Sequence, residues 1–216
     1  AKTNRVTDKD YLELWNTCPM SKTENWQDRV LELEIEKVAH GGIFVARHEG
    51  RVVFVSHTAP GEKVRAKVFE DKGGSFCRAE TVEVLSASEK RVPHIWKEAD
   101  RLGAGGAEFG HLALEYQRQL KTDVLEESLS RMAGINQRVQ VMPVPGDDLT
   151  NGLGYRTRIQ LHVSEEGVAG PYRERTHEVV PVKSLPLAVA EINELGVHLK
   201  NWQDVKRIEI STASTG

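Results

Sequence analysis

The sequence has little of several features that mark particular protein classes. Only two of its 216 residues are cysteines, Cys18 and Cys77, too few for a disulfide-stabilised scaffold or a four-thiolate metal site. The formal net charge of −3 lacks the basic excess of many nucleic-acid-binding domains, so any such binding requires a local patch. No apolar run reaches the ~18 residues of a membrane-spanning helix, and the first residues lack an apolar signal core. We therefore expect a cytoplasmic protein with reduced thiols and no membrane contact.

The first part of the chain is rich in segments with strand periodicity. From Val30, apolar residues alternate with glutamates, which is the period of a half-buried strand. Four more runs of β-branched and aromatic residues follow, separated by glycine or proline turns. These runs are Ile43–Arg47, Arg51–His57, Val64–Phe69 and Ser75–Leu85. Five short strands predict a small closed barrel, and the OB-fold is the commonest five-stranded solution.

The chain beyond the barrel mixes helical and strand patterns. Apolar residues at four- and five-residue steps predict an amphipathic helix over about 111–133, closed by Gly134. Alternation predicts strands over Arg156–Val163 and Asp204–Ser211, with a second extended stretch after the first. A short helix over Leu187–Leu195, with Ser184 as its N-cap, lies between the extended stretch and the last strand.

These patterns divide the chain into three segments. Residues 1–28 are polar and predict a flexible N-terminal arm, with a short helix at Asp8–Trp15. Residues 29–88 form the OB-fold-like barrel, and residues 89–216 form an α+β domain with an antiparallel sheet and two helices. The predicted fold class is therefore mainly β plus α+β. The last strand runs directly into Ser214-Thr215-Gly216, so we expect the second domain to be incomplete at its C-terminus.

Motifs in the barrel segment resemble a TRAM domain, which is a small RNA-binding module of the OB type. The matching residues are Gly41-Gly42, Val45-Ala46, Gly50, Val53-Phe54-Val55, Pro60-Gly61-Glu62 and Val64. The resemblance implies that RNA is the partner of this segment.

The rest of the chain resembles the central domain of bacterial S-adenosylmethionine-dependent RNA (uracil-5-)-methyltransferases. The matching residues are Gly103-Ala104-Gly105-Gly106-Ala107, His111, Tyr116, Gln119-Leu120, Gly154-Tyr155-Arg156-Thr157-Arg158, Arg173 and Thr176-His177-Glu178-Val179-Val180. The resemblance implies that the chain is the N-terminal half of an enzyme that forms 5-methyluridine in tRNA or rRNA.

The same resemblance implies that an iron–sulfur site has been lost from the glycine turn. Two of the family's four cluster cysteines fall on Ala104 and Ala107, the later one on Leu185, and the first within Ile95–Glu98. A four-iron four-sulfur cluster needs thiolate ligands, so we expect no iron–sulfur cluster. Gly110 also departs from the family, which often has glutamine before the motif histidine.

The catalytic half of that family is a doubly wound C-terminal domain. It binds S-adenosylmethionine and carries the nucleophilic cysteine and the base. No glycine-rich strand-to-helix turn of the dinucleotide-binding type occurs in this sequence. We therefore expect no catalytic residue and no bound cofactor in this chain, which alone would be inactive and monomeric. S-adenosylmethionine is expected for the full-length parent.

Cationic and aromatic residues are the candidates for RNA contact, since cations bind phosphates and rings stack on bases. In the barrel they are Arg47, Arg51, Arg65, Lys67, Lys72, Phe76 and Arg78. In the second domain, Arg156 and Arg158 alternate on one predicted strand and would share a face. His111 would orient a flipped base or cap the helix. The alternatives are a mixed-sign solvated surface for the charges and core packing for Tyr116.

Two principal functions remain open from the sequence. The first is RNA recognition for an RNA (uracil-5-)-methyltransferase, and the second is a stand-alone RNA-binding or ribosome-associated adaptor. The reading frame beyond Gly216 would separate them. A third possibility, a scaffold that does not bind RNA, predicts no salt-dependent binding to RNA.

Overall fold

The computed structural model describes residues 24–213 as a closed barrel followed by a smaller sheet, one long helix and shorter helices. The barrel strands are β1 (Val30–Ala39), β2 (Ile43–His48), β3 (Arg51–Ser56), β4 (Lys63–Glu70) and β5 (Phe76–Ser86). Then follow α1 (Lys97–Leu102), α2 (Leu114–Ala133), β6 (Arg158–Val163), β7 (Ala169–Gly170), α3 (Ala190–Glu194), a 3-10 turn (Val197–Leu199) and β8 (Arg207–Ser211). The predicted helix at Asp8–Trp15 lies outside the described residues.

The barrel has the strand order β1-β2-β3-β5-β4, and β1 closes the barrel by pairing with β4. β3 and β5 run parallel, and the other neighbours are antiparallel. Leu31, Leu33 and Ile35 point into the core while the glutamates between them face solvent, as the period of two requires. The predicted closed five-stranded barrel is confirmed.

The turn before β4 is hydrogen-bonded to the segment that follows the barrel, at Ser88 and Arg91. Gly61 takes a φ of 82°, a conformation that glycine adopts without strain. The buried carboxylate of Glu62 accepts hydrogen bonds from the Ala59 and Ser88 backbone N–H groups and from Arg91 Nε and Nη2 at 2.7 Å. Burial opposes the ionisation of Glu62, but the bonds from Arg91 and Ser88 outweigh it and hold its pKa below the ordinary value.

Helix α2 packs on the barrel. Leu112, just before it, and Leu120 belong to the barrel core, and Tyr116 packs against that core. The helix starts at Leu114, later than the predicted 111. It ends at Gly134 as predicted, where a φ of 65° lets the glycine N–H bond to the Ser130 carbonyl.

The second sheet has the order β7-β6-β8 and one buried face. Leu161 is buried, with Ile159 and Val163 packed beside it, over a core that includes Ile192. Within residues 24–213, no helix has both the length and the apolar character needed to cross a membrane.

Two predicted boundaries in this region are wrong, and one helix was not predicted. The segment 86–110 holds the unpredicted helix α1. The short predicted helix begins only after Val189 rather than at Leu187, and Val189 rather than Ser184 is its N-cap. Pro186 restricts the residue before it to extended conformations, and the carbonyls of Pro186 and Leu187 accept hydrogen bonds from residues 154–156. Strand β6 begins at Arg158 because the chain bends at residue 157.

Residues 171–180 form a hairpin, although the sequence predicted one long extended stretch there. The Arg173 N–H bonds to the Glu178 carbonyl at 2.7 Å, and the Val180 N–H bonds to the Pro171 carbonyl at 2.9 Å. A Cβ at Gly170 would lie 1.9 Å from the Val180 carbonyl oxygen. Only glycine therefore allows the hairpin to return this closely to β7.

Candidate nucleic-acid interface

The outer face of the barrel carries two phenylalanine rings beneath an arginine. Phe54 on β3 lies opposite Arg78 on the parallel strand β5, and Phe76 precedes Arg78 by two residues on the same face. The rings of Phe54 and Phe76 meet edge to face at 5.5 Å. The Arg78 guanidinium lies 5.9 Å from one ring and 5.8 Å from the other. We call these three residues the barrel ring patch.

The barrel ring patch has the properties of a base-stacking surface. Phe76 is 45% exposed, although a phenylalanine ring gains free energy when it leaves water. An exposed ring beside a guanidinium offers a π face to a base and a positive charge to its phosphate. Phe76 and Arg78, proposed from the sequence as RNA contacts, thus lie together. Phe54 was not among the predicted RNA contacts.

Four other predicted barrel cations lie at the surface in pairs with acids. Each of them, and Arg78, contacts a carboxylate, and their side chains are 40–85% exposed. The pairs are Arg47–Glu36, Arg65–Glu83, Lys67–Asp28, Lys72–Glu70 and Arg78–Glu70. Exposed pairs of this kind hold their partners weakly, so these cations can exchange a carboxylate for a phosphate.

Arg51 does not belong to this surface. Its guanidinium is buried and donates to both carboxylate oxygens of Asp71, at 2.7 and 3.1 Å. It also donates to the Glu24 carbonyl and lies 4.3 Å from the Trp26 ring centroid. The hydrogen bond from Arg51 lowers the pKa of Asp71 to about 2 despite burial. The sequence placed Arg51 among the RNA contacts, and its burial removes it from them.

Hairpin 171–180 contacts the barrel through two charged residues, Glu174 and Arg175. His57 Nε2 lies 3.2 Å from the Glu174 carboxylate. Arg175 donates to the Ser56 hydroxyl at 3.2 Å, and its guanidinium lies 4.4 Å from the Phe69 ring centroid. Sequence reasoning missed these contacts because no local pattern signals a pairing between positions 117 residues apart.

A cleft of about 930 Å³ opens where the barrel and the second domain meet. Its walls are the outer face of β5, the end of α1 and hairpin 171–180. They include the cations Arg78, Arg101 and Arg175 as well as the acids Glu80 and Glu174. Arg78 lines the cleft and belongs to the barrel ring patch, so the two features adjoin at this residue.

His111 is buried and forms a hydrogen bond to the barrel. It is 3% exposed, and its Nε2 lies 2.9 Å from the Thr58 carbonyl, to which it donates. Desolvation lowers the pKa of His111 to about 4, so the ring is neutral at neutral pH. The predicted role in orienting a flipped base therefore does not fit its position, and it joins the segment before α2 to the barrel.

Gly110, which precedes His111, packs closely against the ring of His94. A Cβ at Gly110 would lie 2.4 Å from Cε1 of His94. The His94 ring occupies the space that a side chain at position 110 would need. A larger residue at position 110, such as the glutamine that the resembled family often has there, would require the His94 ring to move.

Arg156 and Arg158 do not share a strand, contrary to the prediction. Arg156 precedes the bend at residue 157, donates to the Gly106 carbonyl at 3.3 Å and lies 5.7 Å from the Tyr155 ring centroid. Arg158 starts β6 and forms an ion pair with Glu209 on β8. Both side chains are exposed. They can still contact RNA, but as two separate groups.

The four positions that the resemblance assigns to cluster cysteines come together in one apolar cluster. Ala104, Ala107 and Leu185 pack there with Trp96, which lies in the segment Ile95–Glu98. None of these side chains is a thiolate, and Trp96 and Leu185 are both buried within the cluster. The residues present do not fit an iron–sulfur cluster. Among residues 24–213, no three His, Cys, Asp or Glu side chains are grouped so as to hold a metal ion.

Comparison with known families identifies the barrel. Residues 27–82 match the TRAM domain family. This range begins just before β1 and ends within β5, so the match covers nearly the whole barrel. The TRAM domain that the sequence motifs suggested is confirmed.

Several curated proteins are similar to nearly the whole chain. One from Streptomyces coelicolor is 37% identical over 207 residues, which cover 92% of this chain and 45% of the relative. One from Streptomyces avermitilis is 39% identical over 194 residues, covering 86% and 45%. One from Aquifex aeolicus is 33% identical over 197 residues, covering 88% and 44%. Each is named an uncharacterized RNA methyltransferase.

The chain spans a little less than half the length of these relatives. The chain therefore contains a TRAM domain and is similar, over nearly its whole length, to part of proteins named RNA methyltransferase, consistent with an N-terminal portion of such a protein.

Proposed function

We propose that this chain is the RNA-recognition portion of an S-adenosylmethionine-dependent RNA methyltransferase that forms 5-methyluridine in tRNA or rRNA. The observation that carries the proposal is the barrel ring patch on the TRAM domain, where the exposed ring of Phe76 lies beside Phe54 and Arg78. The protein acts in the cytoplasm as a monomer, with RNA as its partner.

The chemistry of the proposed reaction explains why a separate RNA-holding surface is needed. A uracil inside a stem or stacked loop must leave the stack before an enzyme can act on it, which costs a few kcal/mol. The displaced strand then needs rings for its bases and cations for its phosphates. The barrel ring patch and the exposed cations around it supply both.

We do not propose that any residue of this chain binds the methyl donor. S-adenosylmethionine supplies the methyl group in the proposed reaction, and we assign its binding to the part of the enzyme that this chain does not cover. The side chains named here hold RNA and orient it, and none is given a catalytic role.

Nucleoside analysis of a deletion strain tests the proposal. We expect deletion of the gene to remove 5-methyluridine from either the tRNA or the rRNA fraction, measured separately by mass spectrometry. The wild-type gene should restore it, and a gene carrying Phe76→Ala and Arg78→Ala should restore much less at equal protein level. Unchanged 5-methyluridine in both fractions would contradict the proposal and favour the stand-alone RNA-binding adaptor.

A further inference from the structure

We propose that the solvent face of the β6–β7–β8 sheet binds a nucleobase of single-stranded RNA on the stacked rings of His162 and Tyr172. This would be a second RNA contact, separate from the barrel ring patch. The inference rests on the proposed RNA-binding function and adds a specific site to it.

The geometry of the rings supports a stacking site. The His162 and Tyr172 rings lie face to face, with centroids 3.5 Å apart and planes 11° apart. His177 meets Tyr172 nearly edge-on at 5.2 Å and 78°. We call these three residues the sheet ring stack. It forms a continuous aromatic surface on which a planar base can extend the stacking.

The sheet ring stack contributes little to the core of the domain. His162 lies on β6 between Leu161 and Val163, whose side chains pack on the opposite face of the sheet. His177 is exposed, and His162 and Tyr172 are half-buried. Packing of the domain core therefore does not explain why three aromatic rings lie on its solvent face. Stacking with a planar ligand does explain them.

A cation suited to a phosphate lies next to the stack. Arg207 on β8 is directly opposite His162 on β6, a spacing of about 5 Å between Cβ atoms. Arg207 is exposed and, within residues 24–213, forms no ion pair or hydrogen bond through its side chain. Gln160, two residues before His162 on the same face, has its amide nitrogen 3.2 Å from His162 Nε2. Its amide oxygen can accept a hydrogen bond from a base edge.

The environment of His162 favours the neutral form of its ring, which suits stacking on a base. Desolvation lowers the pKa of His162 below its ordinary value, and the charges of Arg207 and His177 lower it further. The ring is then neutral at neutral pH, so Arg207 carries the positive charge and His162 supplies a flat aromatic face. A base with its 3′ or 5′ phosphate presents the complementary pair of groups.

Photocrosslinking and binding measurements test the site together. The probe is a fluorescent single-stranded, uridine-rich RNA with one 5-iodouridine. We expect the crosslink in wild-type protein to map to Tyr172 or His162. We expect Tyr172→Leu, which keeps an apolar side chain but removes the ring, to weaken binding about tenfold. Arg207→Gln should weaken it several-fold and lower its salt dependence. Leu149→Ala, at a side chain that is 93% exposed, is the control and should bind like wild type.

The outcomes separate this inference from the proposed function. If wild-type protein binds the RNA while Tyr172→Leu binds equally well and crosslinks map only to the barrel, the sheet site is wrong and the proposed function stands. If wild-type protein binds neither this RNA nor a structured RNA, both fail. If Tyr172→Leu does not fold, as judged by circular dichroism, the wild-type crosslink decides between the two sites.

Discussion

The imidazole of His57 lies 3.2 Å from the carboxylate of Glu174 and joins the barrel to hairpin 171–180. The hydrogen bond to Glu174 raises the pKa of His57 and outweighs the opposing effect of burial. Burial disfavours the Glu174 carboxylate, but His57 and Arg175 outweigh it and lower its pKa. Both shifts favour the charged pair, so we expect the contact between barrel and hairpin to depend on pH.

We predict that the pair stabilises the protein most between about pH 5 and pH 6.5. The contribution of His57 is fully present below its unfolded pKa of about 6.5 and is lost as pH rises through its raised folded value. The contribution of Glu174 is present above its unfolded pKa of about 4.3 and is lost as pH falls. In urea unfolding, His57→Gln should cost roughly 1 kcal/mol at pH 6 and less at pH 9.

The exposed histidine His40 provides the matched control for this experiment. His40→Gln should change the free energy of unfolding little at any pH between 5 and 9. A cost of His57→Gln that is equal at pH 6 and pH 9 would show that the ion pair does not stabilise the junction.

Asp71→Asn should destabilise the barrel by about 3 kcal/mol. The substitution leaves the buried guanidinium of Arg51 without a counter-charge, which is among the costliest single changes in a protein. Glu83→Gln, which breaks the exposed pair with Arg65, should change stability little. Urea unfolding followed by circular dichroism measures both, and equal effects would argue against a structural role for the Arg51–Asp71 pair.

Leu185→Ala should cost about 2–4 kcal/mol because it opens a cavity in the apolar cluster around Ala104 and Trp96. Leu199→Ala, at a side chain that is 67% exposed, should have little effect. A cost below about 1 kcal/mol for Leu185→Ala would contradict the view that apolar packing holds this cluster together.

Purified protein should be colourless and contain no iron, because the four expected cluster positions carry no thiolate. Elemental analysis of protein purified without oxygen checks this. Stoichiometric iron would overturn the assignment of the cluster positions.

Arg156→Ala combined with Arg158→Ala should weaken RNA binding several-fold without unfolding the protein. For every phosphate that the variant no longer binds, the salt slope of binding to a single strand should fall by about 0.7. Glu209→Gln is the informative partner variant, because it removes the carboxylate that competes for Arg158. It should bind RNA at least as tightly as wild type. Unchanged binding by the double variant, with native circular dichroism, would show that neither arginine contacts RNA.

The sequence predicted the barrel well because the information for it is local. The alternation from Leu31 to Ile35 and the turn at Gly61 each depend on neighbouring residues. The end of α2 at Gly134 has the same basis. Such patterns act through side-chain direction and backbone conformation, which a few adjacent residues determine.

The candidate site was predicted less completely because it depends on distant contacts. Exposed cations such as Arg65 and Lys67 were placed correctly at the surface. The burial of Arg51 depends on Asp71 and Trp26, and the position of His111 depends on Thr58. No spacing along the chain reveals these partners, since folding brings them together from separate strands and connections.

The most direct test of RNA recognition is the affinity of this chain for a stem-loop RNA, measured by fluorescence anisotropy at low and at high salt. The account predicts that wild-type affinity falls steeply as salt rises. It also predicts binding at least about tenfold weaker when Phe76→Ala and Arg78→Ala remove the exposed ring and the cation of the barrel ring patch. Absence of binding at low salt, or equal affinity of wild type and variant, would contradict it.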